Sequence, residues 1–178
     1  MEVKKIPAEL EKVLAPYLEI HPKLSYPADF GKERLFEITL KEKKNRAPMP
    51  SPEEICFFRV AKTFLSILEE KELSDFIESL GYKNFTLIDF GFIPPRGVIG
   101  WHTDYTFACP SGKIIEITRN YSEDGFFTYQ KNEEIIKLEE PLGYSYKIYE
   151  LGGVENLFWH GKYGGTEGKY TLKIKLLD

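Results

Sequence analysis

The stretch GVIGWHTDY, Gly97 to Tyr105, sets an imidazole and a carboxylate two positions apart in apolar surroundings. In an extended strand, side chains two apart share a face. His102 and Asp104 then point together, while Trp101 and Thr103 point the other way. Both are metal-ligand types, and a third ligand has to come from elsewhere in the chain. His160, in NLFWHG, is the candidate. Two imidazoles and one carboxylate suit Fe(II) and leave coordination positions open. The bland alternative stands beside this. An H-x-D pair also serves a hydrogen bond or a turn, and a histidine among apolar and glycine residues is more often a satisfied core group. Residue types and spacing allow a metal site without compelling one. His21, in a loop before Pro22, is assigned no role.

The elements that must position these residues fall into two parts. A chain of 178 residues favours one domain, residues 1–178, able to bury roughly 70% of its unfolded surface. The 42% hydrophobic and 15% aromatic content argues for a sizeable core and against disorder. Residues 1–81 read as a mostly helical support. Pro7 suits the first turn of a helix carrying Leu10, Val13, Leu14 and Leu18. Arg34 to Lys44 reads as an edge strand guarded by its terminal charges. The SPEE at Ser51–Glu54 reads as a capped helix start, with Ile55, Phe58, Ala61, Phe64, Leu65 and Leu68 at helical spacing behind it. Ser74 opens a second short helix that Gly81 ends.

From Tyr82 the period changes to two. Eight short runs follow, beginning FTLIDFGFI and VIGWHTDYTF and ending NLFWHG and KYTLKIKLLD, with Gly, Pro, Asn and Asp between them. They predict a mainly β barrel or sandwich over residues 82–178, with the helices packed outside one sheet. In the last run Lys169, Thr171, Lys173 and Lys175 share one face, and Tyr170, Leu172, Ile174 and Leu176 the other. Either the lysine face lies in water, or the barrel interior is polar and takes an anion.

Composition narrows partners and compartment. The net charge of -4 gives no broad electrostatic grip on nucleic acid. Cys56 and Cys109, the only cysteines, make neither a disulfide framework nor a cysteine-rich zinc site. The opening MEVKKIPAEL carries charges where a signal peptide needs an apolar run, and no stretch approaches the ~20 apolar residues of a membrane span. The expectation is a cytoplasmic protein with no membrane partner.

Taken in order, three pieces resemble the 2-oxoglutarate/Fe(II)-dependent oxygenases. GWHTD looks like their H-x-D motif. NLFWHG resembles the later strand that supplies the distal histidine, and GKYTLKIKL the final strand, which opens with a basic residue. The resemblance covers roughly residues 83–178. It implies a double-stranded β-helix, a jelly roll of cupin-like type, with His102, Asp104 and His160 on Fe(II). It places the 2-oxoglutarate anchor on Lys169, where arginine is commoner in the family. A lysine offers a compact charge instead of a planar fork. Arg119, on the strand after the H-x-D, is the rival anchor, with Tyr121 as a hydroxyl donor. Arg96 is a candidate substrate or cosubstrate contact, and Tyr105 a candidate substrate contact. Trp101, Trp159 and Phe92 read as aromatic core.

The resemblance implies a dioxygenase that uses molecular oxygen and 2-oxoglutarate to hydroxylate a protein side chain or a small molecule. Nucleobase dealkylation ranks lower, because a phosphate backbone and an extruded base call for more basic surface. A non-catalytic binding module and a cupin-like metal enzyme without 2-oxoglutarate share the fold class and stay open.

Overall fold

The computed structural model describes residues 1–18, 40–45, 58–59, 66–104 and 111–177. Two antiparallel sheets face each other. The larger has strand order β1-β8-β5-β10-β3-β2, with β1 Lys4–Lys5, β2 Phe58–Arg59, β3 Asn84–Ile93, β5 Lys113–Asn120, β8 Gly143–Glu150 and β10 Lys169–Leu177. The smaller runs β4-β9-β6-β7, with β4 Val98–His102, β6 Phe126–Lys131, β7 Glu134–Glu139 and β9 His160–Tyr163. Consecutive strands switch between the sheets, as β3 to β4 and β5 to β6 do. The eight alternating runs thus form a two-sheet barrel, with the double-stranded β-helix topology that the resemblance implies.

Alternation decides what each sheet face does. On β10, Tyr170, Leu172, Ile174 and Leu176 join Ile115 and Ile117 of β5 in the main apolar core. Helix α1 (Ala8–Leu18) covers that face with Leu10, Leu14 and Leu18. Helix α3 (Lys71–Ser79) adds Leu73, Phe76 and Ile77. The opposite face of β10 carries Lys169, Thr171 and Lys173, all buried. It looks into the space between the sheets, so the lysine face is the interior one. A second, largely aromatic cluster of Ile114, Phe127, Tyr129, Tyr149 and Leu151 packs between the sheets. The turn into β10 needs glycine: Gly168 has φ +85, and a Cβ there would lie 2.8 Å from the Ile93 carbonyl oxygen.

The helical expectations hold at both ends and fail between them. α1 presents its spaced leucines as predicted. α3 starts at Lys71, three residues before Ser74, and ends before Gly81, whose φ is +91. Leu40–Lys44 forms the short helix α2, not the end of an edge strand. Its LKEKK sequence consists of strong helix formers. Phe58–Arg59, inside the helix predicted behind Ser51, is instead extended and pairs with Phe92 and Gly91 of β3. That edge offers unpaired backbone groups, and bonding them outweighs local helical spacing. Ser66–Glu69 is a single 3-10 turn. The rest of those two segments, and His21, lie outside the described residues. No helix among the described residues is long and apolar enough to cross a membrane.

Leu172 is fully buried on the central strand of the larger sheet. Leu172→Ala should cost about 2–5 kcal/mol, read as a lower urea midpoint at unchanged m-value.

Candidate metal centre

His102 and His160 are direct cross-strand partners on β4 and β9. Their rings lie 4.2 Å apart between centroids. An irregularity makes this possible. Ile99 pairs with Lys162 and His102 with His160, so three steps on β4 oppose two on β9. The extra residue is a bulge at Gly100–Trp101. Without it, His102 would sit on the opposite face from Lys162 and His160. Asp104 lies two residues past the end of β4 and turns back toward the rings.

The imidazoles are oriented by their own backbones. His102 Nδ1 is 2.7 Å from Gly100 O, and His160 Nδ1 is 3.2 Å from Phe158 O. A carbonyl only accepts, so Nδ1 carries the proton in each ring and Nε2 carries the lone pair. Both Nε2 atoms face the carboxylate: His160 Nε2 is 3.3 Å from Asp104 Oδ2, and His102 Nε2 is 3.7 Å from Oδ1. All three donor atoms lie within 4.8 Å of one another. Burial pushes both histidines below their ordinary values, His102 far below, so both are neutral. His160 Nε2 is buried without a hydrogen-bond partner despite its nearness to Asp104. Two lone pairs and a carboxylate converging in a closed space call for a cation. Bonds of about 2.0–2.2 Å from nitrogen and oxygen ligands bring neighbouring donors to about 3 Å. The two imidazole–carboxylate separations, 3.3 and 3.7 Å, lie close to that value. The donor set fits Fe(II).

Around the carboxylate is a ring of donors that the sequence reading did not assign to the site. Lys173 Nζ lies 2.6 Å from each Asp104 oxygen, and Tyr149 Oη donates to Oδ2 at 3.1 Å. Burial opposes ionisation of Asp104, but Lys173 holds its carboxyl well below the usual range. Strand parity had already put Lys173 on the same face as Lys169. Its pairing with Asp104 needed the tertiary structure.

Behind the triad lies a buried ionic cage. Glu116 takes Lys147 at 2.9 Å and Lys162, and at 3.2 Å shares with Asp104 the single hydroxyl proton of Tyr149. Glu140 takes Lys147 and Lys169. Burial works against both carboxylates, yet the lysines hold Glu116 well below and Glu140 below the ordinary value. Burial drives Lys162 down to about 7 against the pull of Glu116.

The other predicted residues are placed as follows. Lys169 is in the cage, on the interior face with Lys173. Arg119 sits on the opposite face of β5, over the rings of Tyr121 (4.8 Å) and Tyr144 (5.0 Å). Tyr121 Oη donates to Leu18 O of α1. Neither is brought to the triad, because Glu116, Thr118 and Asn120 hold the inward positions of β5. Arg96 is exposed in the β3–β4 turn, at the far end of β4 from His102, with φ 59. Tyr105 lies outside the described residues. Trp101 and Trp159 are buried together with Leu40 as core, and Phe92 belongs to the helix-covered core.

Mn(II) or anaerobic Fe(II) at about a hundred times its dissociation constant should raise the melting temperature by roughly 5–10 °C. The shift, measured within each variant, should vanish in His160→Ala and Asp104→Ala. The cage gives a pH signature. Glu116 and Glu140 have folded pKa values below the unfolded value near 4.5. Their stabilisation is therefore present above that pH and lost as pH falls below it. Urea midpoints should drop steeply on acidification, and less steeply in the Glu116→Gln/Glu140→Gln double variant.

No family model matches the chain, and no curated protein does. Among solved structures, a prolyl-4-hydroxylase from Pseudomonas putida is similar, with a TM-score of 0.50 at 12% identity, over 98% of this chain and 90% of that one. At that identity the likeness concerns the fold. The chain is thus a double-stranded β-helix protein that brings two histidines and one carboxylate, His102, Asp104 and His160, together as a group able to hold a metal ion.

Proposed function

We propose that the chain is an Fe(II)- and 2-oxoglutarate-dependent dioxygenase that hydroxylates a protein side chain or a small molecule. The observation that carries this is the convergence of three metal donors on the inner wall of a double-stranded β-helix. When bound, the iron supplies the activation of molecular oxygen, coupled to oxidative decarboxylation of the 2-oxo acid.

The chain's own residues supply position, charge and dryness. His102, Asp104 and His160 would hold the metal, and the Nδ1 hydrogen bonds fix the ring planes. Lys173 and Tyr149 orient the Asp104 carboxylate. Phe127, Phe158 and Tyr149 pack their rings 5.2, 5.3 and 5.6 Å from that of His160, excluding water from that side. The lysine-rich interior favours an acidic cosubstrate, with Lys169 as the cation for its distal carboxylate. A surface cleft of about 690 Å³ includes Tyr149 and Phe158 in its wall, beside the triad. It suits the approach of substrate. Its charged lining mixes Lys131 with Glu150, and this balance, like the net charge of -4, favours a peptide or small molecule over a phosphate backbone.

Anaerobic Fe(II) and 2-oxoglutarate should give a weak visible metal-to-ligand charge-transfer band. His102→Ala or Asp104→Ala should abolish it, and an unchanged band in both variants would refute the ligand assignment. Metal binding with no response to 2-oxoglutarate would instead favour a metal enzyme of another type. Lys169→Ala should keep the metal and lose about 30-fold or more in 2-oxoglutarate affinity, from an ion-pair loss of about 2–5 kcal/mol. Arg119→Ala, on the other face of β5, should change it little.

A further inference from the structure

The interior lysines do not stand free. Lys169 is fully buried, donates to Phe126 O at 3.0 Å, and is paired with Glu140 Oε2. The other oxygen of Glu140 takes Lys147 and, at 3.4 Å, the Thr118 hydroxyl. Glu140 itself lies just past the end of β7, its backbone N–H bonded to Gly125 O at 3.2 Å. Its carboxylate is thus delivered into the barrel by a fixed backbone position. A ligand carboxylate reaching for Lys169 meets a carboxylate of the protein already there.

The charge balance makes this competition consequential. Lys147, Lys162, Lys169 and Lys173 face Glu116, Glu140 and Asp104, and Asp89 stands opposite Lys173 on β3, so the interior is close to charge balance. A divalent metal on Asp104 adds positive charge to that balance, so an anion is then favoured in the barrel. The cation at the end of β10 is nevertheless already matched. A displaced Glu140 retains Lys147 on its other oxygen, so displacement does not strand a buried charge.

We propose that Glu140 is a tethered carboxylate that competes with the distal carboxylate of a 2-oxo acid for Lys169, and thereby sets the preference of the centre among 2-oxo acids. The proposal rests on the reading of the centre as a 2-oxo-acid-dependent oxygenase. A 2-oxo dicarboxylate binds only in the fraction of molecules whose Lys169 is released, and its apparent affinity is reduced by that fraction. A 2-oxo monocarboxylate chelates the metal without needing Lys169, and escapes the competition.

The test is calorimetric titration of 2-oxoglutarate and of pyruvate into the full chain loaded with Mn(II), for wild type, Glu140→Gln and Glu116→Gln. Glu140→Gln should tighten 2-oxoglutarate by about tenfold or more and change pyruvate by less than about threefold. Glu116→Gln removes the same charge but leaves the Lys169–Glu140 pair, so it should leave the ratio of the two affinities near the wild-type value. Glu140→Asp, which withdraws the carboxylate while keeping the interior charge, should shift the ratio in the same direction and serves if the glutamine variant does not fold. If both acids bind and the ratio stays at its wild-type value in the Glu140 variants, or moves equally in Glu116→Gln, the role of Glu140 is refuted. If no variant binds either acid while Mn(II) still binds, the oxygenase reading fails, and this one with it.

Discussion

The Asp104 carboxylate is the charge around which the interior is organised. Its side chain is 13% exposed, between two buried imidazoles. Burying an unmatched carboxylate costs several kcal/mol even after relaxation. Neutral rings cannot repay that cost, because their Nε2 lone pairs face the same oxygens. A cation has to meet the carboxylate. Lys173 does so from the central strand of the larger sheet, and the three converging donors give a divalent metal a place from the other side. The two cations differ in kind. An ammonium offers hydrogen bonds to oxygen and nothing to the imidazole nitrogens already aimed inward. A transition metal accepts all three donors, which is why the Nδ1 hydrogen bonds make sense as preorganisation for metal.

That requirement propagates into the fold. Lys173 reaches Asp104 only because β10 turns its lysine face inward. It can do so only because the alternate residues, Tyr170, Leu172 and Ile174, have a separate apolar layer to join. Helices α1 and α3 supply that layer. The larger sheet is therefore buried on both faces by different means: aliphatic and aromatic packing outside, paired charge inside. The smaller sheet holds the histidines, and its bulge at Gly100–Trp101 corrects the parity of β4. A strand without it would send His102 away from His160.

Much of this was legible in the sequence, for a definite reason. Side-chain parity in a strand is strict, so the two faces of β10 and the eight alternating runs could be read from periodicity alone, whereas the shared strand face expected for His102 and Asp104 is not what brings them together. Parity does not say which face is inside. For β10 the lysine face is interior, against ordinary expectation, and for β5 the interior face excludes Arg119 and Tyr121. Both facts depend on what packs against each sheet. The bulge was invisible because Gly100 and Trp101 carry no mark of an extra residue. It was also masked by a compensating simplification: β4 ends at His102, and Asp104 returns to the site from beyond the strand. In the helical part, the spaced leucines of α1 and the capping Gly81 are local signals and were sound. Phe58 and Arg59 were misread because edge pairing with β3, a distant partner, overrides helical spacing.

The cage of lysines and glutamates raises the question of why such an interior exists at all. Replacing a buried ion pair by apolar side chains of similar volume is often neutral or stabilising. The same barrel already packs Phe127, Tyr129 and Tyr149 in its aromatic end. Stability alone would thus extend that packing to the whole interior. What apolar packing cannot provide is a set of positive groups whose partners are exchangeable. A lysine suits that role better than arginine. Its three donors are not bound to one plane, and Lys169 uses one on Phe126 O while keeping another for a carboxylate. An arginine fork would bind Glu140 through two parallel bonds and release it less readily. The departure from arginine at this position is thus consistent with a cation that shares its partner between the protein and a ligand.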